Sequence, residues 1–406
     1  MCCAAGTLPH LVLCLSRWYG RRRPRQTPPK ILIYARCNRM PARFHSDRAL
    51  FVLTLALVVF GLAMVFSASG IVAQENGRWP YSFLARQFVA AALGTAAFLA
   101  LIRVDYHSYR NQALVLLVTS LVICLLLAAL FLNPVRGTHR FLRWGPFSFQ
   151  PSEPAKLIAI LFLAWFLDAR RDRVRDLVRG IIPACVLIAL LLALVVAGRD
   201  LGSAVVLGFV AASMLFVAGV PLRYFGMALA AAPVAFYFLV YRVPYRWERI
   251  LVFFDPERDP YGKGFQIIQS LIAVGSGGPA GAGFMQSKQK LFFLPAPHTD
   301  FIFAVVSEEF GLLGATLLLA AFAVFLWRGL RASLAAPDAF GRLLALGITV
   351  MIVGQALINI SVVIKVLPTK GLPLPFISYG GTSLLFSLVA VGVLLNITQH
   401  RNAANW

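Results

Sequence analysis

From residue 49 to residue 398 the chain alternates between long apolar runs and short polar breaks. The runs are about 20 residues long, the length an α-helix needs to cross the hydrocarbon of a bilayer. Ten spans are expected, at 49–69, 84–102, 112–132, 154–168, 181–197, 202–219, 223–241, 301–327, 341–365 and 376–398. The fourth and fifth are short, and the sixth and seventh are separated only by the tight turn in "AGVPLRYFG" around Pro221. One long break, residues 242–300, falls between the seventh and eighth spans. It is rich in Gly, Pro, Arg and Asp but carries apolar residues throughout, which argues for structure rather than disorder. Within it, "FQIIQSLIAVGSG" has the pattern of a short amphipathic helix lying on or dipping into the membrane surface. There is no internal repeat and no separate soluble domain. The pattern predicts an all-α polytopic membrane protein of about ten transmembrane helices, with a large extracytoplasmic loop between helices 7 and 8.

Composition agrees. Of 406 residues, 59% are hydrophobic and 13% charged, too little polar surface for a soluble protein of this size. The formal net charge of +22 would suggest nucleic acid in a soluble chain. Here it follows the rule that basic residues gather in cytoplasmic loops. Arginine is dense in residues 1–48, 168–180 and 328–342, and with ten spans these segments share one side, which puts both termini in the cytoplasm. Arg136, Arg140 and Arg143 fall on the opposite side and need another explanation. The cysteines show no metal-site spacing and no disulfide framework. The first 46 residues lack Asp and Glu, as a transit peptide does, but "MPARFHSDRALFVLTLALVVF" from Met40 reads as an ordinary membrane-protein start, and that is the expected reading. Residues 1–48 are then a basic, partly disordered extension, 49–398 the membrane domain and 399–406 a cytoplasmic tail.

Ionisable groups in or near membrane spans are costly and usually face an interior cavity. Glu153 and Lys156 open the fourth span three residues apart, so they share a helix face and can pair, with Ser152 as a candidate N-cap. Asp200 opens the sixth span. Asp300, Glu308 and Glu309 open the eighth. Asp300 or Thr299 could cap that helix; Glu308 and Glu309 lie about 12 Å deeper, where capping cannot explain them and a polar cavity or partner must. Lys365 and Lys370 close the ninth span and the turn after it. A basic set, Arg136, Arg140, Arg143, Arg246, Arg249, Lys263, Lys288 and Lys290, faces the same side. It suits a phosphate or pyrophosphate, with headgroup contact as the alternative. Composition and spacing do not separate an enzyme from a transporter.

Four stretches carry a resemblance: "RGTHRFLRWGPFSFQPSEPAKL", "RDLGSAVV", the segment from "RWERILVFFDPERDPYGKGF" through "LPAPHTDFIFAVVSEEFG", and "NISVVIKVLPTKGLPLPFISYGGTSLL". Together, and in this order, they resemble the shape, elongation, division and sporulation (SEDS) family of peptidoglycan glycosyltransferases. "PTKG" is closer to the division type than to the elongation type. The resemblance implies polymerisation of lipid II, an undecaprenyl-pyrophosphate disaccharide pentapeptide, at the outer face of the bacterial cytoplasmic membrane, at the division septum. It implies Asp300 as the catalytic residue. The family's paired acid and base fall on Glu153 and Lys156, and with them Arg140, Arg246, Arg249, Lys288, Lys290, His298, Ser378 and Lys370 are the expected substrate contacts. Asp300 and Glu308 are candidate ligands of a divalent cation, magnesium or manganese, and no organic cofactor is expected. The implied partners are lipid II, a class B penicillin-binding transpeptidase and other division proteins, in the membrane and without nucleic acid. Arg199 stands where the family pattern has Pro, "FLRWGPF" is an unusual form, and Pro297 replaces a commoner neighbour. A lipid II flippase, an elongation-type polymerase and a non-catalytic scaffold are the alternatives.

Overall fold

The computed structural model describes residues 46–400 apart from 76, 78, 133–138, 145–146, 261, 292–293 and 295–296. The two readings of the N-terminal extension lie outside the described residues, as do Arg136 and residues 401–406. Among the described residues ten helices account for the ten expected spans: α1 (Arg48–Glu75), α2 (Ser82–Leu101), α3 (Gln112–Phe131), α4 (Ser152–Ala169), α5 (Ile182–Ala197), α6 (Leu201–Val217), α7 (Leu222–Phe236), α10 (Ile302–Ala335), α11 (Ala339–Val363) and α12 (Gly381–Gln399). Two shorter helices, α8 (Pro244–Phe254) and α9 (Lys263–Ser276), lie in the long loop, and α9 is the amphipathic segment expected there. A small hairpin, β1 (Leu142–Trp144) with β2 (Phe147–Phe149), precedes α4.

Among the described residues, eight helical segments are long and apolar enough to span a bilayer by themselves. The two bundle helices outside that set are α4, which carries Glu153, Lys156 and Asp168, and α6, which has 17 residues. Both sit among other helices; most of α4 is buried, including both members of its ion pair. A helix shielded from lipid by its neighbours can be shorter and more polar than one that faces it.

Alternate connections gather at one end of the bundle. The α3–α4, α5–α6, α7–α10 and α11–α12 connections meet there, and the α2–α3 connection and the end of α12 meet at the other. Helix starts correct two expectations. Ser152 does not cap α4; its hydroxyl donates to Asp200 Oδ2 at 2.8 Å. Asp300 does not cap α10, which begins with no side-chain cap bond. Asp200 does cap α6, accepting from Ser203 N at 3.1 Å.

Helix α10 is interrupted at Gly311, with φ 63° and ψ −160°. In a continuous helix the amides of Leu312 and Leu313 would donate to the carbonyls of Glu308 and Glu309. Instead they donate to Gly278 O at 2.8 Å and Pro279 O at 3.1 Å. The freed carbonyls of Glu308 and Glu309 accept from Ala282 N at 2.9 Å and Gly283 N at 3.0 Å. The chain after α9 is thus inserted into the break and satisfies all four backbone groups, as the membrane interior demands. The backbone region at Gly311 is open essentially to glycine alone, and a non-glycine residue there costs about 1–3 kcal/mol. A Cβ at Gly311 would also collide with the backbone amide of Gly281. Gly311→Ala should therefore lower the thermal unfolding temperature in detergent markedly, whereas Gly275→Ala, with open space around its Cα, should not. Equal unfolding temperatures for the two variants would contradict the inserted-loop description.

Candidate active site

Asp300 stands in the turn before α10. The three consecutive carbonyls of that turn are each held. His298 O accepts from Tyr379 N at 2.8 Å, Thr299 O from Ser378 Oγ at 2.6 Å and Asp300 O from Asn359 Nδ2 at 2.8 Å. The backbone beneath the carboxylate is therefore fixed to α11 and to the α11–α12 connection. Side chains mounted this way hold a reactive geometry without being ordered anew at each turnover.

The same connection is itself built in layers. Asn359 also donates to Leu372 O at 2.7 Å, and Gln355, one helical turn earlier on α11, donates to Pro373 O at 2.9 Å. Lys156 Nζ lies 2.6 Å from Gln355 Oε1 and 3.0 Å from Glu153 Oε1. Gln87 of α2 donates to Ser378 O and accepts from Gly380 N, both at 3.1 Å. Glu153, Lys156, Gln355 and Asn359 form one buried polar ladder. It positions residues 372–380 against the Asp300 turn. In this state Glu153 and Lys156 contact each other and Gln355, so they shape the site from behind.

Charge converges on the Asp300 carboxylate. Burial pushes its pKa up to about 6, against the opposing pull of Arg140 and Arg249 and with the support of Asp200. Gly371 admits the carboxylate closely: a Cβ there would stand 3.0 Å from Asp300 Oδ2 and 3.6 Å from Arg140 Nη1. Arg140 Nε is buried without a hydrogen-bond partner among the described residues. Arg249 Nη1 donates to Thr369 O at 3.2 Å, which ties α8 to the residues just before Lys370. Burial lowers the pKa of Lys370. Asp200 is committed elsewhere, accepting from Gln150 and Ser152 as well as capping α6. Arg140, Ser152 and Asp200 also line a small pocket with His139, Leu126 and Leu194.

Several residues expected to touch substrate have other work. Arg246 is buried, its guanidinium donating to Leu239 O at 2.7 Å and Tyr245 Oη at 2.9 Å, so it braces the end of the seventh span. Lys290 is buried and pairs with Glu309 at 2.7 Å, with Ser67 sharing the contact. Ser378 uses its hydroxyl to hold the Asp300 turn, donating to Thr299 O and accepting from Leu374 N. Lys288 is exposed, and its amide rather than its side chain reaches Glu308. His298 is buried between the rings of Phe83 and Tyr379, at 4.8 and 5.5 Å between centroids.

Glu308 accepts from the Ser287 hydroxyl, from Lys288 N at 2.8 Å and from Gln289 N at 3.3 Å. Both its oxygens are occupied, and among the described residues no metal-ligating cluster contains Asp300 or Glu308. The deep carboxylates of α10 thus anchor residues 277–290 into the bundle. Reading only ionisable groups missed Gln87, Gln355 and Asn359. The signal was present, since polar residues four apart inside an apolar run mark one inward helix face.

Fold and site together define a polytopic helical membrane protein with a rigidly mounted carboxylate beside guanidinium groups at one end of the bundle. A family model described as a cell cycle protein, and named for FtsW, RodA and SpoVE, matches residues 47–403, and the chain belongs to that family. It is 45% identical over 358 residues to the probable peptidoglycan glycosyltransferase FtsW of Geobacter metallireducens, covering 87% of this chain and 94% of the relative. It is 43% identical over 359 residues to stage V sporulation protein E of Bacillus subtilis, covering 87% and 97%. Among solved structures, a chain from work on polymerization and crosslinking by a peptidoglycan synthase complex superposes with a TM-score of 0.73 at 31% identity, covering 88% of this chain and 99% of that one. The rod shape determining protein RodA of Thermus thermophilus superposes with a TM-score of 0.65 at 27% identity, covering 88% and 98%.

Proposed function

We propose that this chain is a division-type peptidoglycan glycosyltransferase that polymerises lipid II at the outer face of the cytoplasmic membrane. The observation that carries this reading is the Asp300 carboxylate, raised to about 6, fixed through three backbone carbonyls and set beside Arg140 and Arg249. A group with that pKa is mostly ionised at neutral pH yet still basic enough to take a proton. The acceptor sugar hydroxyl attacks the anomeric carbon of the donor, Asp300 takes its proton, and the lipid pyrophosphate leaves with the electron pair of the broken C–O bond. Arg140, Arg249 and Lys370 meet the charge on the leaving pyrophosphate. An α-linked donor then gives a β-linkage by single displacement, without the covalent intermediate of a retaining two-carboxylate enzyme. The donor set around Asp300 is two guanidiniums and an Asp200 already committed to hydrogen bonds, which does not fit a resident divalent cation, so no step runs through one. The division assignment rests on the "PTKG" turn and on the FtsW relatives.

A class B penicillin-binding transpeptidase is the expected partner, a reading supported by the likeness to a chain from work on a peptidoglycan synthase complex and by the described residues forming a membrane bundle with no soluble domain among them. The basic segments 168–180 and 328–342, on the face opposite Asp300, support cytoplasmic termini. The test supplies lipid II to the purified chain with its transpeptidase and follows glycan strands on a gel. Strands should form, and the partner should raise the rate. Transport of lipid II across vesicles without polymer would favour the flippase instead.

A further inference from the structure

We propose that Asp105, His107 and His400 form a binding site for a first-row divalent transition-metal ion of the zinc class, at the end of the bundle opposite Asp300. The three belong to the α2–α3 connection and to the end of α12, far in sequence but adjacent in the fold. His107 Nδ1 lies 2.7 Å from Asp105 Oδ1, and His400 Nε2 lies 3.8 Å from the same oxygen. One donor atom from each residue falls within 4.8 Å of the other two. Four-coordinate zinc with bonds of about 2.0–2.1 Å sets its donors roughly 3.3 Å apart. Two of the three separations straddle that value and the third is within 4.8 Å, so side-chain adjustment places all three on one ion, which takes the place of the hydrogen now shared between His107 Nδ1 and Asp105.

A second observation concerns the tautomer. His400 Nδ1 is 3.1 Å from the carbonyl oxygen of Asn396. A carbonyl can only accept, so Nδ1 carries the hydrogen and neutral His400 directs its Nε2 lone pair toward Asp105. A backbone carbonyl fixing the far nitrogen is the usual support of a metal-bound histidine.

The scaffold beneath the cluster is also prebuilt. Tyr106, between the two loop ligands, is fully buried, and its amide donates to Asn396 Oδ1 at 2.9 Å. Asn396 Nδ2 donates back to Ile102 O at 2.9 Å, and Gln399 Nε2 reaches the same oxygen at 3.3 Å. The Tyr106 hydroxyl donates to Asp338 Oδ1 at 2.5 Å. The loop is therefore docked on α12 whether or not an ion is present, and an ion would meet a formed site. The Asp105, His107 and His400 side chains are 54%, 43% and 36% exposed, so solvent reaches them and water can complete the coordination. Two imidazoles with one carboxylate suit zinc, cobalt or nickel better than magnesium or calcium.

The competing account keeps Asp105 as the cap of the following turn, accepting from His107 N at 3.0 Å, with protonated His400 as a counter-charge. It predicts no metal uptake. The experiment uses the full chain in detergent, purified without a polyhistidine tag and stripped with chelator, then titrated with Co2+ at pH 7.5. One Co2+ per chain should bind with the visible absorption of a low-coordinate nitrogen–oxygen site, and Zn2+ should displace it. His107→Gln and His400→Gln should each weaken binding about tenfold or more. Asp105→Asn, which keeps the cap because Asn caps as well as Asp, should weaken it too. His139→Gln should not. Uptake seen only at millimolar Co2+, or uptake that survives the His107→Gln and His400→Gln changes together, would overturn the proposal.

Discussion

Asp300→Asn should yield a protein that folds, enters the membrane and binds its partner, yet makes glycan strands at least about a hundredfold more slowly. The expectation separates charge from structure. The turn is held through the carbonyls of residues 298–300, and an asparagine leaves all three in place. No helix cap is lost, because Asp300 caps nothing. What disappears is an ionised carboxylate beside Arg140 and Arg249. Thermal unfolding in detergent should move little, and could rise, since a covered charge that was costly to hold has been removed. A variant with normal unfolding and a normal rate would leave the carboxylate without a catalytic role. The Glu153 and Lys156 pair should give a smaller loss, acting through Gln355 on the position of residues 372–380.

Lys290→Met should be among the most destabilising single changes in the bundle. Lys290 and Glu309 are both nearly inaccessible and lie 2.7 Å apart. Removing one member of such a pair leaves an uncompensated buried charge and costs about 3–5 kcal/mol. Here the orphan would be Glu309, left with the Ser67 hydroxyl alone. Adding Glu309→Gln removes that charge, so the double variant should recover a good part of the loss. The coupling would appear as a double variant more stable than Lys290→Met by itself, measured by unfolding temperature. Equal and additive losses from the two changes would show that the pair is not coupled. Because these groups anchor the inserted loop, the variants should fail through folding and abundance rather than through turnover.

The ten spans were legible because apolar length is a strong signal, and observed and expected boundaries mostly agree within a few residues. Helices α1 and α10 run on past their expected ends, to Glu75 and Ala335, and α12 begins late, at Gly381 rather than 376. The residues between are apolar but belong to the connection that holds the Asp300 turn. The Glu153 and Lys156 pair was legible from its spacing of three. The break at Gly311 was not. "EEFGLLGATLLL" reads as one apolar helix, and the four backbone bonds that heal the break come from residues about 30 positions earlier. The same distance hid the work of Glu308 and Glu309. A sequence shows that a charge sits deep in a span, but it does not show which segment returns to meet it. The partners of Arg246 and Lys290 were hidden for the complementary reason, since a sequence does not show which carbonyl or carboxylate already holds a basic residue of an outer loop.

The central claim, that Asp300 works as a base with a raised pKa, is most directly tested by the pH dependence of polymerisation at limiting lipid II. The raised value of about 6 places the change in a set window. Above it the carboxylate is ionised and the rate should be level. Below it the ionised fraction, and with it the rate, should fall about tenfold per pH unit. Unfolding temperatures over the same range will separate this from acid denaturation. The account predicts an acidic limb with a midpoint near 6 in the wild-type chain and no such limb in the residual activity of Asp300→Asn. A rate that stays level from pH 7 to pH 5, or a limb that persists unchanged in Asp300→Asn, would contradict it.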